Sequence, residues 1–100
     1  MRKKASKKNR DEFEKDAWLD DENNLRDPDR LFEFLIDLFE TRDKLSKQKL
    51  FKLVGGQQQF REQVAAAVLR FKQRNKSKMT VPGLICYVYF RLQFLVRESD

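Results

Sequence analysis

Lysine and arginine side chains are concentrated between residues 44 and 78, where they could neutralise phosphate groups. This segment holds ten Lys/Arg residues against a single acid, Glu62. If the helices predicted here pack side by side, their Lys and Arg side chains form one strip. Such a strip would bind a sugar-phosphate backbone without recognising the nucleotide sequence. Contact with about five phosphates of a single strand predicts a log–log salt slope of roughly −3.5. The predicted nucleic-acid-binding residues are Lys47, Lys49, Lys52, Arg61, Arg70, Lys72, Arg74, Lys76, Lys78 and Arg91.

Acidic side chains are concentrated just before this segment, with 13 of them against four bases in residues 11–43. Glu33, Asp37 and Glu40 recur at helical spacing and form one stripe. A single helix face rarely supplies enough ligands for a cation, so a solvated or partner-facing stripe is predicted instead of a metal site. Trp18 lies in the same acidic region and packs either in the core of the domain or on a partner. The predicted partner-binding residues are Trp18, Glu33, Asp37 and Glu40.

The residues needed for several kinds of catalysis are missing. The chain has no histidine and one cysteine, Cys86, which excludes Ser-His-Asp and Cys-His catalysis within the chain and argues against a structural zinc site. Gly55-Gly56 lacks the surrounding residues of a phosphate-binding loop. We therefore predict no catalytic residue, no metal and no cofactor. A lone cysteine also fits a reducing compartment, so a cytoplasmic location is predicted.

The chain is expected to comprise one small domain preceded by a charged segment. Residues 1–10 carry six bases and no acid, and we interpret them as a basic arm. Because no apolar stretch follows this arm, a secretory signal is not predicted. The apolar run 84–90 is too short to span a bilayer, so no membrane partner is expected. Residues 1–26 are assigned to the arm and the acidic Trp-containing segment, and residues 27–100 to a helical domain.

Three helices are predicted in the middle of the chain. Asp27 and Pro28 suit the cap and first position of a helix that runs to about residue 42. Ser46 can cap a shorter helix that ends at Gly55-Gly56. The third helix covers about residues 57–74, with apolar side chains at helical spacing.

The last element, residues 81–97, is rich in β-branched and aromatic side chains, so both helix and strand are possible. We prefer a helix that is apolar nearly all round and lies buried at the centre of a bundle. The predicted fold is therefore all-α, a small bundle of about four helices with a basic N-terminal arm.

Two basic stretches, KLSKQKLFKLV at 44–54 and RFKQRNKSK at 70–78, together with the size and helical pattern, give the chain a resemblance to a known family. It resembles the small subunits of CRISPR effector ribonucleoproteins over about residues 28–98. The resemblance implies a role in antiviral defence, in which copies stack along other subunits and line the path of a target strand. No diagnostic motif allows a residue role to be transferred from that family.

We therefore expect a non-enzymatic subunit that binds single-stranded RNA or DNA through its backbone within a larger assembly. The alternative is a protein-interaction module, an adaptor or inhibitor that docks through the acidic block 11–43. The acidic and basic blocks could also pair head to tail between copies of the chain. The distinguishing feature is whether the basic side chains stay exposed.

Overall fold

The computed structural model describes residues 14–75 and 78–99. The predicted N-terminal arm and Lys76 lie outside the described residues. Within them the chain is all-helical, with only an isolated bridge between Leu19 and Leu25. This confirms the predicted small helical bundle. The helices are α1 (Lys15–Trp18), α2 (Pro28–Arg42), α3 (Lys47–Val54), α4 (Gln57–Arg74) and α5 (Val81–Ser99).

Helix α2 begins where the sequence indicates. The side chain of Asp27 accepts a hydrogen bond from the backbone N–H of Asp29, and Pro28 occupies the first turn. The helix buries Leu31, Leu35 and Phe39 completely. These residues follow each other at four-residue spacing and form one apolar face, which packs against the other helices.

Helix α3 is delimited by two local signals. Ser46 caps its start by accepting a hydrogen bond from the backbone N–H of Lys49. Gly55 ends it with a left-handed backbone (φ 105°), and the N–H groups of Gly55 and Gly56 both donate to the carbonyl of Phe51. Few residues other than glycine adopt this backbone without strain, so α3 stops here and α4 can start in a new direction.

Residues 81–97 lie within a helix, which confirms the preferred prediction and excludes the strand alternative. The hydroxyl of Thr80 accepts a hydrogen bond from the backbone N–H of Gly83 in the first turn. Helix α5 then packs against α2, α3 and α4 and buries Leu84, Val88 and Leu92. Burial against three helices outweighs the weak strand preference of its β-branched residues.

The expectation that α5 is the buried central helix of the bundle is wrong. Cys86, Phe90 and Phe94 are exposed and share one face of the helix. The surrounding helices cover only the opposite side of α5, because a bundle this small cannot enclose a central helix. The outer face of α5 is therefore apolar and faces solvent.

Trp18 belongs to the core of the domain. Its side chain is 2% exposed and packs edge-on against Phe34, and the guanidinium of Arg30 lies 4.5 Å from the ring centroid. Leu19 beside it is also buried. This corrects the prediction of Trp18 as a partner-binding residue. It also corrects the boundary after residue 26, because the segment from residue 14 contributes to the same core.

The end of α2 is tied to α5 by a buried tyrosine. The hydroxyl of Tyr89 donates a hydrogen bond to the Asp43 carboxylate, to which Gln93 also donates. Burial and then the bond to Asp43 raise the pKa of Tyr89 from 10.0 to about 12. The folded chain thus holds this proton more tightly than the unfolded chain. The resulting stabilisation is fully present below pH 10 and is lost as the pH rises through about 12.

Tyr89→Phe is expected to lower the free energy of unfolding by about 1 kcal/mol near neutral pH, because the hydrogen bond to Asp43 is lost. The stability difference from the wild type should shrink as the pH rises above 10. Urea unfolding across this pH range measures both effects, and Tyr87→Phe serves as the matched control. A difference that stays constant up to pH 12 would contradict the role of this bond.

Over the described part of the chain, no helix combines the length and apolar character needed to cross a membrane.

Candidate nucleic-acid interface

The predicted basic residues of α4 lie on two sides of the helix. Arg61 and Arg70 are nine residues apart. This is about two and a half turns, so their side chains leave the helix in opposite directions. Arg74 follows Arg70 by one turn and lies on the same side. The prediction of a single strip that contains all the listed Lys and Arg residues is therefore wrong, because Arg61 and Arg70 lie on opposite sides of α4.

Arg61 of α4 and Lys47 of α3 both line a surface groove beside α2, close to the carboxylates of Asp29 and Glu33. The guanidinium of Arg61 forms an ion pair with Asp29 at 3.6 Å and lies 5.1 Å from the ring centroid of Phe32. The groove that contains Arg61 is also lined by Lys47 and Glu33. The acids reduce the positive potential here, so this side is a poor phosphate site.

Lys72 is directed toward the acidic segment before α2. Its ammonium donates a hydrogen bond to the side-chain oxygen of Asn24 at 2.6 Å. The backbone N–H groups of Asn24 and Glu22 donate to Asp20 and hold the pKa of that carboxyl below its usual value. The charges of Arg26 and Lys72 contribute to the same shift. Lys72 therefore balances acids of its own chain.

The bases Lys49, Lys52 and Lys78 are exposed. Lys49 and Lys52 occupy the side of α3 opposite its buried Leu50, as the predicted amphipathic pattern requires. Lys78 lies in the connection between α4 and α5. They add positive charge to the surface without belonging to any groove described below.

Arg70 and Arg91 meet in a groove between α4 and α5, which we call the α4/α5 groove. Both side chains are exposed, and none of the described residues that line the groove is acidic. Arg74 extends the same side of α4 by one turn. The two guanidinium groups can donate several hydrogen bonds each to phosphate oxygens. The groove is lined by Gln63, Ala66, Ala67, Arg70, Arg91, Leu92, Phe94 and Leu95.

Two exposed aromatic side chains at or beside this groove were not predicted from the sequence. Phe94 lines the groove and is 60% exposed, while Phe90 one turn earlier is 66% exposed. Their apolar character predicted burial in the core. The signal that could have found them is the width of the apolar pattern of α5, which exceeds what one face of a helix can bury.

The chain shows no similarity to known proteins that bears on this surface: no family model, curated protein or solved structure matches it. Function is therefore inferred from the side chains and their surroundings.

The predicted acidic stripe is on the surface. Glu33, Asp37 and Glu40 are all exposed on α2. Glu33 lies at the groove that contains Lys47 and Arg61. Among the described residues, no cluster of three or more His, Cys, Asp or Glu side chains could hold a metal ion.

Three surface grooves of the described structure have volumes of about 190, 50 and 230 Å³. Sites for small molecules usually measure roughly 300–1,000 Å³ and bury most of the ligand. The α4/α5 groove is the smallest of the three and is too small to enclose a ligand, so a molecule bound there extends over the surrounding surface. An extended polymer makes contacts of this kind.

Proposed function

We propose that this chain is a non-enzymatic subunit that binds the backbone of single-stranded nucleic acid at the α4/α5 groove, within a larger assembly. Arg70 and Arg91 donate to phosphate oxygens at the groove. Arg74 contacts the next phosphate along the same side of α4. The helices hold the three arginines in position, and the nucleic acid lies across the outer surface of the helices.

The observation that carries this proposal is the difference between the α4/α5 groove and the other basic positions. Arg61 pairs with Asp29, and Lys72 bonds to Asn24 beside Asp20. Arg70 and Arg91 instead share a groove in which no lining residue, within the described part of the chain, is acidic. A phosphate that approaches there meets two positive charges and no opposing carboxylate in the lining, so binding displaces no internal ion pair of the groove.

The salt dependence of binding counts the phosphates in contact. With Arg70, Arg74 and Arg91 as the contacting bases, we expect a log–log slope of roughly −2 for a single strand. A strip of about five contacts would give roughly −3.5. Fluorescence anisotropy with a labelled single-stranded oligonucleotide, as RNA and as DNA, measures this slope across several salt concentrations.

The same titration can reject the proposal. Absence of binding at low salt would exclude a nucleic-acid-binding surface on the isolated chain. A slope near zero would exclude phosphate contacts as the source of affinity. An RNA strand and a DNA strand of the same sequence provide the comparison that identifies the sugar, because the 2′-hydroxyl is the chemical difference between them.

A second candidate function is docking of a protein through the acidic stripe of α2. It is supported by the exposure of Glu33, Asp37 and Glu40 along one face. A partner there would present a basic surface, and another copy of this chain is one such partner. The variant Asp37→Lys with Glu40→Lys separates the two candidates. It should abolish docking of a basic partner but leave single-strand binding intact, because neither residue lines the α4/α5 groove.

A further inference from the structure

Phe90 and Phe94 form an aromatic surface directly beside the α4/α5 groove, and we infer that they stack on unpaired bases of the bound strand. This inference rests on the proposed function and extends it from the phosphates to the bases. The chain would then distinguish a single strand from a duplex, because the rings bind the flat faces of unpaired bases with little preference for their identity.

The exposure of the two rings is the first argument. Phe90 and Phe94 are 66% and 60% exposed, although most large apolar side chains of this chain are buried or half-buried. Neither ring is needed to fill the core, since Leu84, Val88 and Leu92 occupy the inner side of α5. Phe94 in addition lines the groove that contains Arg70 and Arg91, so its ring lies beside the predicted phosphate contacts.

The spacing of the rings favours unpaired bases. Phe90 and Phe94 are four residues apart, which is about 6 Å along a helix axis. Nucleotides of a duplex strand follow each other at about 3.4 Å, with their bases stacked on one another. Neighbouring bases that occupy both rings must therefore separate from each other. A single strand can do this, whereas a duplex would first have to lose its own stacking and pairing.

Charge complementarity identifies a nucleic acid as the occupant of this apolar face. The rings lie among arginines: Arg91 is three residues before Phe94, and Arg97 is three residues after it. Residues three and four apart are neighbours on a helix surface, so Phe94 has an arginine on either side along α5 and one acidic neighbour. Glu98 is the acid that follows, one turn beyond Phe94 at the end of α5.

The test compares a labelled single strand of mixed sequence with the same strand annealed to its complement. The wild type should bind the single strand at least about tenfold more tightly than the duplex, and Phe90→Ala with Phe94→Ala should weaken single-strand binding by about tenfold or more per ring. Phe90→Leu with Phe94→Leu should lose as much, because leucine keeps the apolar surface without an aromatic face. Phe94→Trp should retain or increase the affinity.

The controls separate this inference from the proposed function. Leu69→Ala removes another exposed apolar side chain, 54% exposed, which does not line the α4/α5 groove, and should bind like the wild type. If the leucine pair binds like the wild type, or the duplex binds as tightly as the single strand, stacking is overturned while phosphate binding stands. If the wild type binds neither probe, the proposed function fails. Circular dichroism and thermal unfolding establish that each variant is folded.

Discussion

Arg70→Glu with Arg91→Glu is expected to weaken single-strand binding by about 100-fold or more. Each arginine can form a charge-assisted hydrogen bond to a phosphate, worth at least about 1.5 kcal/mol, and the two losses together correspond to about 100-fold. The introduced carboxylates also repel the backbone, which adds to the loss. Both side chains are exposed, so the helices should form as in the wild type.

Lys49→Glu with Lys52→Glu is the matched control, because it changes the net charge by the same amount at exposed positions of α3. If the α4/α5 groove carries the affinity, this control should lose only a few-fold at physiological salt, where distant charges are screened. Equal losses in the two variants would mean that the overall charge of the chain attracts the nucleic acid, and would contradict a defined groove. Anisotropy titrations at one fixed salt concentration compare them directly.

Trp18→Ala is expected to lower the free energy of unfolding by about 3–5 kcal/mol. The ring of Trp18 is 2% exposed and contacts Phe34 and Arg30, so its removal leaves a cavity between the segment before α2 and the bundle. Domains of this size are usually stable by only about 5–15 kcal/mol, so a large part of the stability is lost. Urea unfolding followed by circular dichroism measures the change.

Phe90→Ala is the control for Trp18→Ala, because it removes an aromatic ring that is 66% exposed. Its effect on the free energy of unfolding should stay within about 0.5 kcal/mol. If Trp18→Ala is as mild as this control, Trp18 does not belong to the core in solution, and its role as a partner anchor returns. A strong effect of Trp18→Ala alone supports a single body that includes the acidic segment.

Local signals in the sequence were sufficient to predict the helices. Asp27 and Pro28 mark the start of α2, and Ser46 and Gly55 delimit α3, because caps and left-handed glycines act through neighbouring backbone groups. Apolar spacing predicted the buried residues Leu31, Leu35 and Phe39 of α2. The same reasoning could not assign α5 alone, since its composition suits a strand as well as a helix.

The candidate site could be predicted only in part. The sequence identified Arg70 and Arg91 as exposed bases, along with Lys72 and Arg61. It could not show that Arg61 pairs with Asp29 or that Lys72 donates a hydrogen bond to Asn24. These contacts join residues far apart in the chain, and charge patterns along a sequence do not show them.

The sequence by itself determined that this chain is helical, where its middle helices begin and end, and that its charges are sorted into acidic and basic blocks. The tertiary structure decided which charges remain open to a partner and which apolar side chains remain outside the core. Helix formation depends on residues a few positions apart, so it can be predicted locally. Exposure depends on how many helices are available to cover each face, and here the outer face of α5 stays open beside Arg70 and Arg91.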